Sequence, residues 1–253
     1  MDELQQKIVD YVEANGKTYQ QIALEIHEKP EVSNYEFFAS KRLADQIKSV
    51  GFEVEMPAAG HRTGFAASYK SGKPGPVMVF LAEYDALVGL GHGCGHNMLG
   101  TASLSAAIGI KKYLEESGKP GTVIYFGCPG EEGGSGKAFM AKGGVFANLD
   151  AAITWHPGDL TQADTGSSLA NYQVAYKFYG KSAHAGGAPH LGRSALDALE
   201  LMNMGVQFLR EHVVPEARIH YAITNTGGYS PNVVQPYAEV LYLIRAPKNS
   251  QVE

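Results

Sequence analysis

Three short glycine-rich segments of this sequence carry side chains that bind cations. Glu83-Tyr84-Asp85 leads into Gly-Leu-Gly-His-Gly-Cys-Gly-His at 89–96, Pro-Gly-Glu-Glu-Gly-Gly fills 129–134, and His156-Pro157 follows Trp155. Taken singly, each has a plain reading: a surface histidine, a solvated pair of glutamates, a small buried cysteine. Together they are the deprotonatable groups that a metal site must bring to one point. A thiolate can donate to two cations, so Cys94 is placed to bridge a metal pair. His96 would bind one metal, and Glu132 and His156 would complete the second. Two metals about 3.5–4 Å apart polarise a scissile carbonyl and make a water nucleophilic near neutral pH. Glu131, off the metals, would take that water's proton and pass it to a leaving amine. Asp85 reads as the carboxylate behind an imidazole ligand that fixes its orientation.

Two other chemistries fit less well. Gly-Glu-Glu-Gly-Gly-Ser-Gly-Lys at 130–137 follows a strand pattern like a phosphate-binding loop. However, Glu131 stands where that motif needs glycine, and Ala138 where it needs Ser or Thr. A thiol nucleophile at Cys94 would take its histidine from a separate part of the chain rather than two residues away.

The elements that would position these groups are legible in the apolar pattern. Val77–Ala82, Thr122–Gly127 and Ala151–Trp155 are short apolar runs bounded by Gly or Pro, which predicts strands buried on both faces, as in a parallel sheet. Met98–Glu116 between the first two predicts a helix and so a βαβ unit. Helical spacing also runs through 3–28, with a break near Asn15-Gly16. A further helix is expected from Asn34, as N-cap, to Val50. Each candidate group then follows the C-terminal end of a strand, where open α/β sheets bind ligands.

Beyond about residue 170 the character changes. Tyr172–Tyr179, Arg218–Thr224 and Glu239–Arg245 read as strands and Ala195–Leu209 as an amphipathic helix, a small antiparallel α+β unit. The expected division is therefore 1–169 and 170–253. Within the second unit, His184, Asn232 and Arg245 are the groups that would hold an oxyanion and a substrate carboxylate. The chain stops at Gln251-Val252-Glu253, where another helix is expected to begin.

The 253 residues suffice for a full core, and 44% hydrophobic with 19% charged residues is ordinary for a globular protein. A net charge of −5 argues against a nucleic-acid surface. No run reaches the roughly 18 apolar residues of a membrane helix, and the charged N-terminus does not read as a signal peptide. With only two cysteines, a cytoplasmic protein without a disulfide framework is expected.

Gly-His-Gly-Cys-Gly-His-Asn, Pro-Gly-Glu-Glu-Gly-Gly, Trp-His-Pro, Lys-Ser-Ala-His-Ala and Gly-Gly-Tyr-Ser-Pro-Asn-Val-Val resemble, in order, the motifs of the dinuclear metallopeptidase and amidohydrolase family. That family includes aminoacylases, glutamate carboxypeptidases and indole-acetyl-amino-acid hydrolases, and the nearest look is to the p-aminobenzoyl-glutamate hydrolase branch. The resemblance implies a three-layer α/β catalytic domain with an inserted α+β lid, the lid incomplete here. It implies Cys94, His96, Glu132 and His156 as ligands of two divalent ions, Mn or Zn, with Glu131 as general base. It implies Asp85 as the aspartate of the first catalytic motif, and a homodimer in which His184 reaches the neighbouring active site. Asn232 and Arg245 match lid residues that hold substrate. Family members carry a longer C-terminal stretch with one more His ligand, for which no candidate follows residue 220, so the chain is expected to be a piece of a longer protein.

The leading expectation is thus a metal-dependent amidohydrolase acting on a small N-acyl amino acid, an aminobenzoyl-glutamate-like amide or a dipeptide. The rival readings are an inactive dimerisation or binding module and, behind it, a thiol hydrolase.

Overall fold

A computed structural model of the chain describes residues 1–163 and 166–253. They form two compact units, Met1–Thr161 and Gln162–Glu253. The division falls after 161 rather than after the expected 169.

The first unit opens on α1 (Glu3–Ala14) and α2 (Gly16–His27), interrupted at Asn15. Asp2 caps α1 by accepting from the Gln5 amide at 2.8 Å. The third helix, α3, spans Phe37–Ser49, and Asn34 is not its cap. Asn34 adopts a left-handed φ of 67°, and the helix N-terminus is served from upstream instead. The Glu31 carboxylate accepts from the Phe38 and Ala39 amides at 2.9–3.0 Å, meeting free N–H groups at the positive end of the helix.

The sheet contains β1 (Glu53–Glu55), β2 (Phe65–Lys70), β3 (Val77–Ala82), β4 (Thr122–Gly127) and β5 (Ala151–Ile153), in the order β1-β2-β4-β3-β5. β4/β3 and β3/β5 are parallel, while β1 and β2, two strands beyond the predicted ones, add an antiparallel edge. α4 (His96–Ser117) links β3 to β4, completing the expected βαβ unit. β5 stops at Ile153, leaving Trp155 and His156 beyond the strand.

Side chains alternate across this sheet into two cores, which makes the unit three-layered. Phe80, Ala82, Val123 and Tyr125 point into a cluster with Leu43, Ile47, Leu104 and Ile108, from α3 and α4. Val79 and Phe126 point the other way, against Cys128 and Met140, the latter on α6 (Gly136–Lys142), which follows the short α5 (Glu131–Gly134). Gly127 pairs in register with Phe65, and a Cβ there would lie 2.2 Å from the Phe65 ring.

The second unit is a three-stranded antiparallel sheet, β6 (Ala170–Tyr179), β7 (Arg218–Asn225) and β8 (Tyr237–Ala246), with β8 central. α7 (Ala195–Leu209) is capped by Ser194 and buries Ala195 and Leu199 with Ile219, Val240 and Tyr242. A short helix, α8 (Asn249–Val252), begins near the chain end, where one was expected. Among the described residues no helix is long and apolar enough to cross a membrane.

Candidate metal centre

β4, β3 and β5 are neighbours, so the segments that leave their C-terminal ends meet at one rim of the first unit. Gly95, the residue before α4, has φ 77°, and a Cβ on it would lie 2.6 Å from Pro157. Only glycine lets the Cys94–His96 turn press so closely against the His156 segment. The ligand atoms of Cys94, His96 and His156 consequently lie within 4.8 Å of one another.

The donor geometry suits a cation. Cys94 Sγ is 3.5 Å from His156 Nε2. A thiolate at about 2.3 Å and an imidazole at about 2.05 Å from one tetrahedral ion would stand about 3.5 Å apart. The Nδ1 of His156 faces its neighbour's carbonyl, Pro157 O, at 2.9 Å, which leaves Nε2 as the free donor. His96 is arranged in the same sense. Its Nδ1 meets Asp85 Oδ1 and the Asp85 carbonyl, both at 3.0 Å, so the proton sits on that nitrogen and Nε2 is left to bind. His96 Nε2 is fully buried and has no hydrogen-bond partner. In the charged ring that nitrogen carries a proton facing Glu83 Oε2 at 3.1 Å, and a cation in the same place would displace the proton.

Charge points the same way. Glu83, Asp85, Glu131 and Glu132 converge on this rim with Lys137, which donates to Glu83. Burial raises the Glu131 carboxyl above its ordinary range, and the negative charges of Glu83 and Glu132 raise it further. Burial and then Glu132, Glu131 and Glu83 push the Cys94 thiol up to about 11. For His96, burial opposes the charge, but Asp85 and Glu83 outweigh it and hold the imidazolium up to about 10. Positive charge on His96 offsets part of the negative charge that these carboxylates concentrate.

The carboxylate loop is fixed by two buried acids. Asp85 Oδ2 accepts from the Glu132 amide at 2.8 Å and from Ser33 Oγ at 2.7 Å. Glu36, fully buried, accepts from the Gly130 amide at 2.7 Å, the Asn34 amide at 2.8 Å and Thr63 Oγ1 at 2.8 Å. Glu132 has non-helical backbone angles and Gly133 a φ of 87°, so the two adjacent glutamates leave the chain in different settings.

Sequence reasoning assigned no part to Glu36, Ser33 or Lys137, and named Glu83 only as part of the first cation-binding segment. Glu83 could have been found from its two-residue spacing to Asp85 at a strand end, which puts both side chains on the same side of the strand. Lys137, the lysine of the rejected phosphate-loop reading, is the cation that neutralises Glu83. Glu36 and Ser33 lie about a hundred residues from the loop they hold, and no local pattern marks them.

In the second unit the structure brings two of the three expected residues together. His184 forms a bridge with Val233, and the Ala185 amide donates to the Asn232 carbonyl at 2.9 Å, so the His184 and Asn232 segments lie side by side. His184 Nδ1 accepts from the Gly186 and Gly187 amides at 3.2 and 2.9 Å. Arg245 does not join them: it lies near the far end of β8, about 26 Å along the strand from Tyr237 at roughly 3.3 Å per residue. Its Nε is buried without a hydrogen-bond partner.

Residues 168–253 match the family model described as the peptidase dimerisation domain. The whole chain aligns with one of the p-aminobenzoyl-glutamate hydrolase subunits of Escherichia coli (strain K12), 49% identical over 270 residues and covering 56% of that protein. Xaa-Arg dipeptidase of Mus musculus is 37% identical over 80% of this chain and 50% of its own length. The chain thus spans about half the length of the curated relatives it matches. Among solved structures, it superposes on an aminobenzoyl-glutamate utilization protein from Klebsiella pneumoniae with a TM-score of 0.64 at 20% identity, over 97% of this chain and 70% of that one. It also superposes on the Bacillus subtilis YXEP protein, described as a dinuclear metal binding peptidase, with a TM-score of 0.61 at 21% identity, over 94% and 66%. With residues 168–253 matching the M20 dimerisation-domain model and the whole chain 49% identical to an amidohydrolase subunit, the protein belongs to the M20 family of peptidases and amidohydrolases.

Proposed function

We propose that the protein hydrolyses the amide bond of a small N-acyl amino acid, an aminobenzoyl-glutamate-like amide or a dipeptide, with two divalent ions, Mn or Zn, at the rim of its first unit. The observation that carries this reading is the convergence of the Cys94, His96 and His156 donor atoms within 4.8 Å, beside the Glu131 carboxylate. Cys94, His96, Glu132 and His156 hold the ions, and Asp85 fixes the His96 ring. Bound ions supply Lewis acidity toward the amide carbonyl and the attacking water. Glu131 takes the water's proton and delivers it to the leaving amine, general-base work for which a carboxylate beside the ligand atoms is placed. A reducing, cytoplasmic setting suits the two free thiols, Cys94 and Cys128.

The second unit serves substrate binding and pairing of protomers. In a homodimer, His184 with Asn232 beside it would meet the developing oxyanion on a substrate held by a second copy, while Arg245 takes a substrate carboxylate. Leu201, Met204 and Phe208 are 74%, 58% and 66% exposed at helical spacing on α7, away from its buried residues, and would form part of the contact. Pairing with a different chain is the second reading, because the sequence is also 28% identical to the other p-aminobenzoyl-glutamate hydrolase subunit of Escherichia coli (strain K12).

Metal analysis with a Glu131→Gln variant tests the reaction. The variant should keep its metal and lose about 10²–10⁴-fold in amide hydrolysis. Wild-type activity in the variant, or activity that survives complete chelation, would overturn the assignment.

A further inference from the structure

We propose that the cavity between the β1–β2 loop and the C-terminal end of α6 binds a small aromatic carboxylate, with Arg62 and Lys142 taking its charge and Phe139 its ring. The inference goes beyond the metal-dependent reading above and does not rest on it.

The walls come from three places in the first unit. Residues 58–61 close a tight turn, with Ala59 and Gly60 at φ 51° and 75° and the His61 amide donating to the Ala58 carbonyl at 2.9 Å. Left-handed angles at both central residues make it a type I′ turn. The end of α6 packs on that turn. The His61 and Phe139 rings are 6.0 Å apart, and a Cβ on Gly143 would lie 3.2 Å from that of Ala59. Asn34 forms the third side. The space between them is about 480 Å³, the size of sites that take small organic ligands.

The cavity is separate from the candidate metal centre. None of Cys94, His96, Glu131, Glu132 and His156 lines it. Asn34 is the nearest link, with its side chain against the backbone of the carboxylate loop. A Cβ on Gly130 or Gly134 would come within 2.9 or 2.7 Å of that side chain.

Charge decides the class of ligand. The lining holds two permanent cations, Arg62 and Lys142, and no Asp or Glu, in a chain whose net charge is −5. Both are exposed, and among the described residues neither side chain makes an ion pair or a hydrogen bond. A lone exposed lysine is ordinary. Two unpaired cations on one concave surface act together, because low-dielectric walls focus their field. Arg62 is also set in place, with its guanidinium 4.9 Å from the centre of the Phe37 ring. Stacking of this kind holds the guanidinium plane and leaves its N–H edge free, the fork that matches a carboxylate. Phe139 is 57% exposed and gives an apolar face on which a planar ring can lie. Inorganic phosphate would engage the cations alone, whereas a carboxylate carried on a ring engages the cations and Phe139 together.

Isothermal titration of the full chain at low ionic strength, with benzoate, cyclohexanecarboxylate and inorganic phosphate as probes, tests this directly. Benzoate should bind with a Kd of about 10 mM or tighter, the level expected of so small a ligand, and more tightly than either other probe. Arg62→Gln should weaken benzoate at least about 10-fold and Lys142→Gln about 3-fold. Arg62→Lys, which keeps the charge but not the fork, should recover only part of the loss. Phe139→Ala should weaken benzoate and leave phosphate unchanged. The three side chains are exposed, and circular dichroism of each variant confirms that the fold is kept. Benzoate held as tightly by Arg62→Gln and Phe139→Ala as by wild type, or held only when Mn²⁺ is added, is bound elsewhere and would overturn the proposal. Phosphate binding as tight as that of benzoate, or no benzoate binding at about 10 mM, would overturn it too.

Discussion

Glu36 offers the sharpest test of how the carboxylate loop is held. Its side chain is fully buried and takes hydrogen bonds from the Gly130 amide, the Asn34 amide and Thr63 Oγ1, with no cation beside it among the described residues. Glu36→Ala would strand three buried donors. At about 1–3 kcal/mol for each unsatisfied group, and allowing for partial relaxation, the loss should be about 3–6 kcal/mol. That is a large part of the roughly 5–15 kcal/mol that holds a domain folded. Glu36→Gln should cost less than about 2 kcal/mol, because its carbonyl can keep the two amides and the threonine hydroxyl can turn to accept from the new NH₂. Burial raises the Glu36 carboxyl above its ordinary range. A raised folded value contributes stability below the unfolded value of about 4.5 that is lost as pH rises through the folded one. The stability difference between wild type and Glu36→Gln should therefore move in favour of the variant across that window. The assay is urea unfolding followed by tryptophan fluorescence, since the single tryptophan, Trp155, lies in the first unit and reports on it alone. An alanine variant within about 1 kcal/mol of wild type would refute the idea that Glu36 braces the loop.

Two further outcomes concern the frame around the site. Gly127→Ala should destabilise the first unit by about 2–3 kcal/mol through overpacking on Phe65, and adding Phe65→Leu should restore part of that in the same unfolding assay. The Glu25 carboxyl is lowered, chiefly by its hydrogen bond from Arg42, so this pair adds stability above pH 4.5 that is lost as pH falls through the folded value. Both side chains are partly exposed, so Arg42→Ala should cost less than about 1 kcal/mol at pH 7, and the difference from wild type should shrink as pH falls through the lowered folded value.

The parts of the fold that were legible in the sequence are those with strong local signals. β3, β4 and α7 match their predicted spans because apolar runs and helical periodicity mark them directly. β1 and β2 escaped: β1 has only three residues, and β2, Phe-Ala-Ala-Ser-Tyr-Lys, has too little β-branched character to stand out. The Asn34 cap failed for a related reason. Asn is a strong cap by type, yet here the helix end is met by Glu31, whose reach across seven residues no capping pattern encodes. At the rim, the candidate ligands were readable because each follows a strand end. The acids that orient them were not, since Glu36 and Ser33 meet the loop only through the tertiary fold.

The small turn after His184 has a consequence for the direction in which that ring can act. Two backbone N–H groups, from Gly186 and Gly187, both point at Nδ1, so in the neutral ring that nitrogen must be the lone-pair side and the proton must sit on Nε2. The turn thus sets the ring's polarity before any substrate arrives. Its outward edge can give a hydrogen bond and cannot receive one, so His184 can welcome negative charge and cannot abstract a proton. Substitutions at Gly186 or Gly187 that swing either amide away would free the ring to reverse, turning a one-way contact into an ambivalent one.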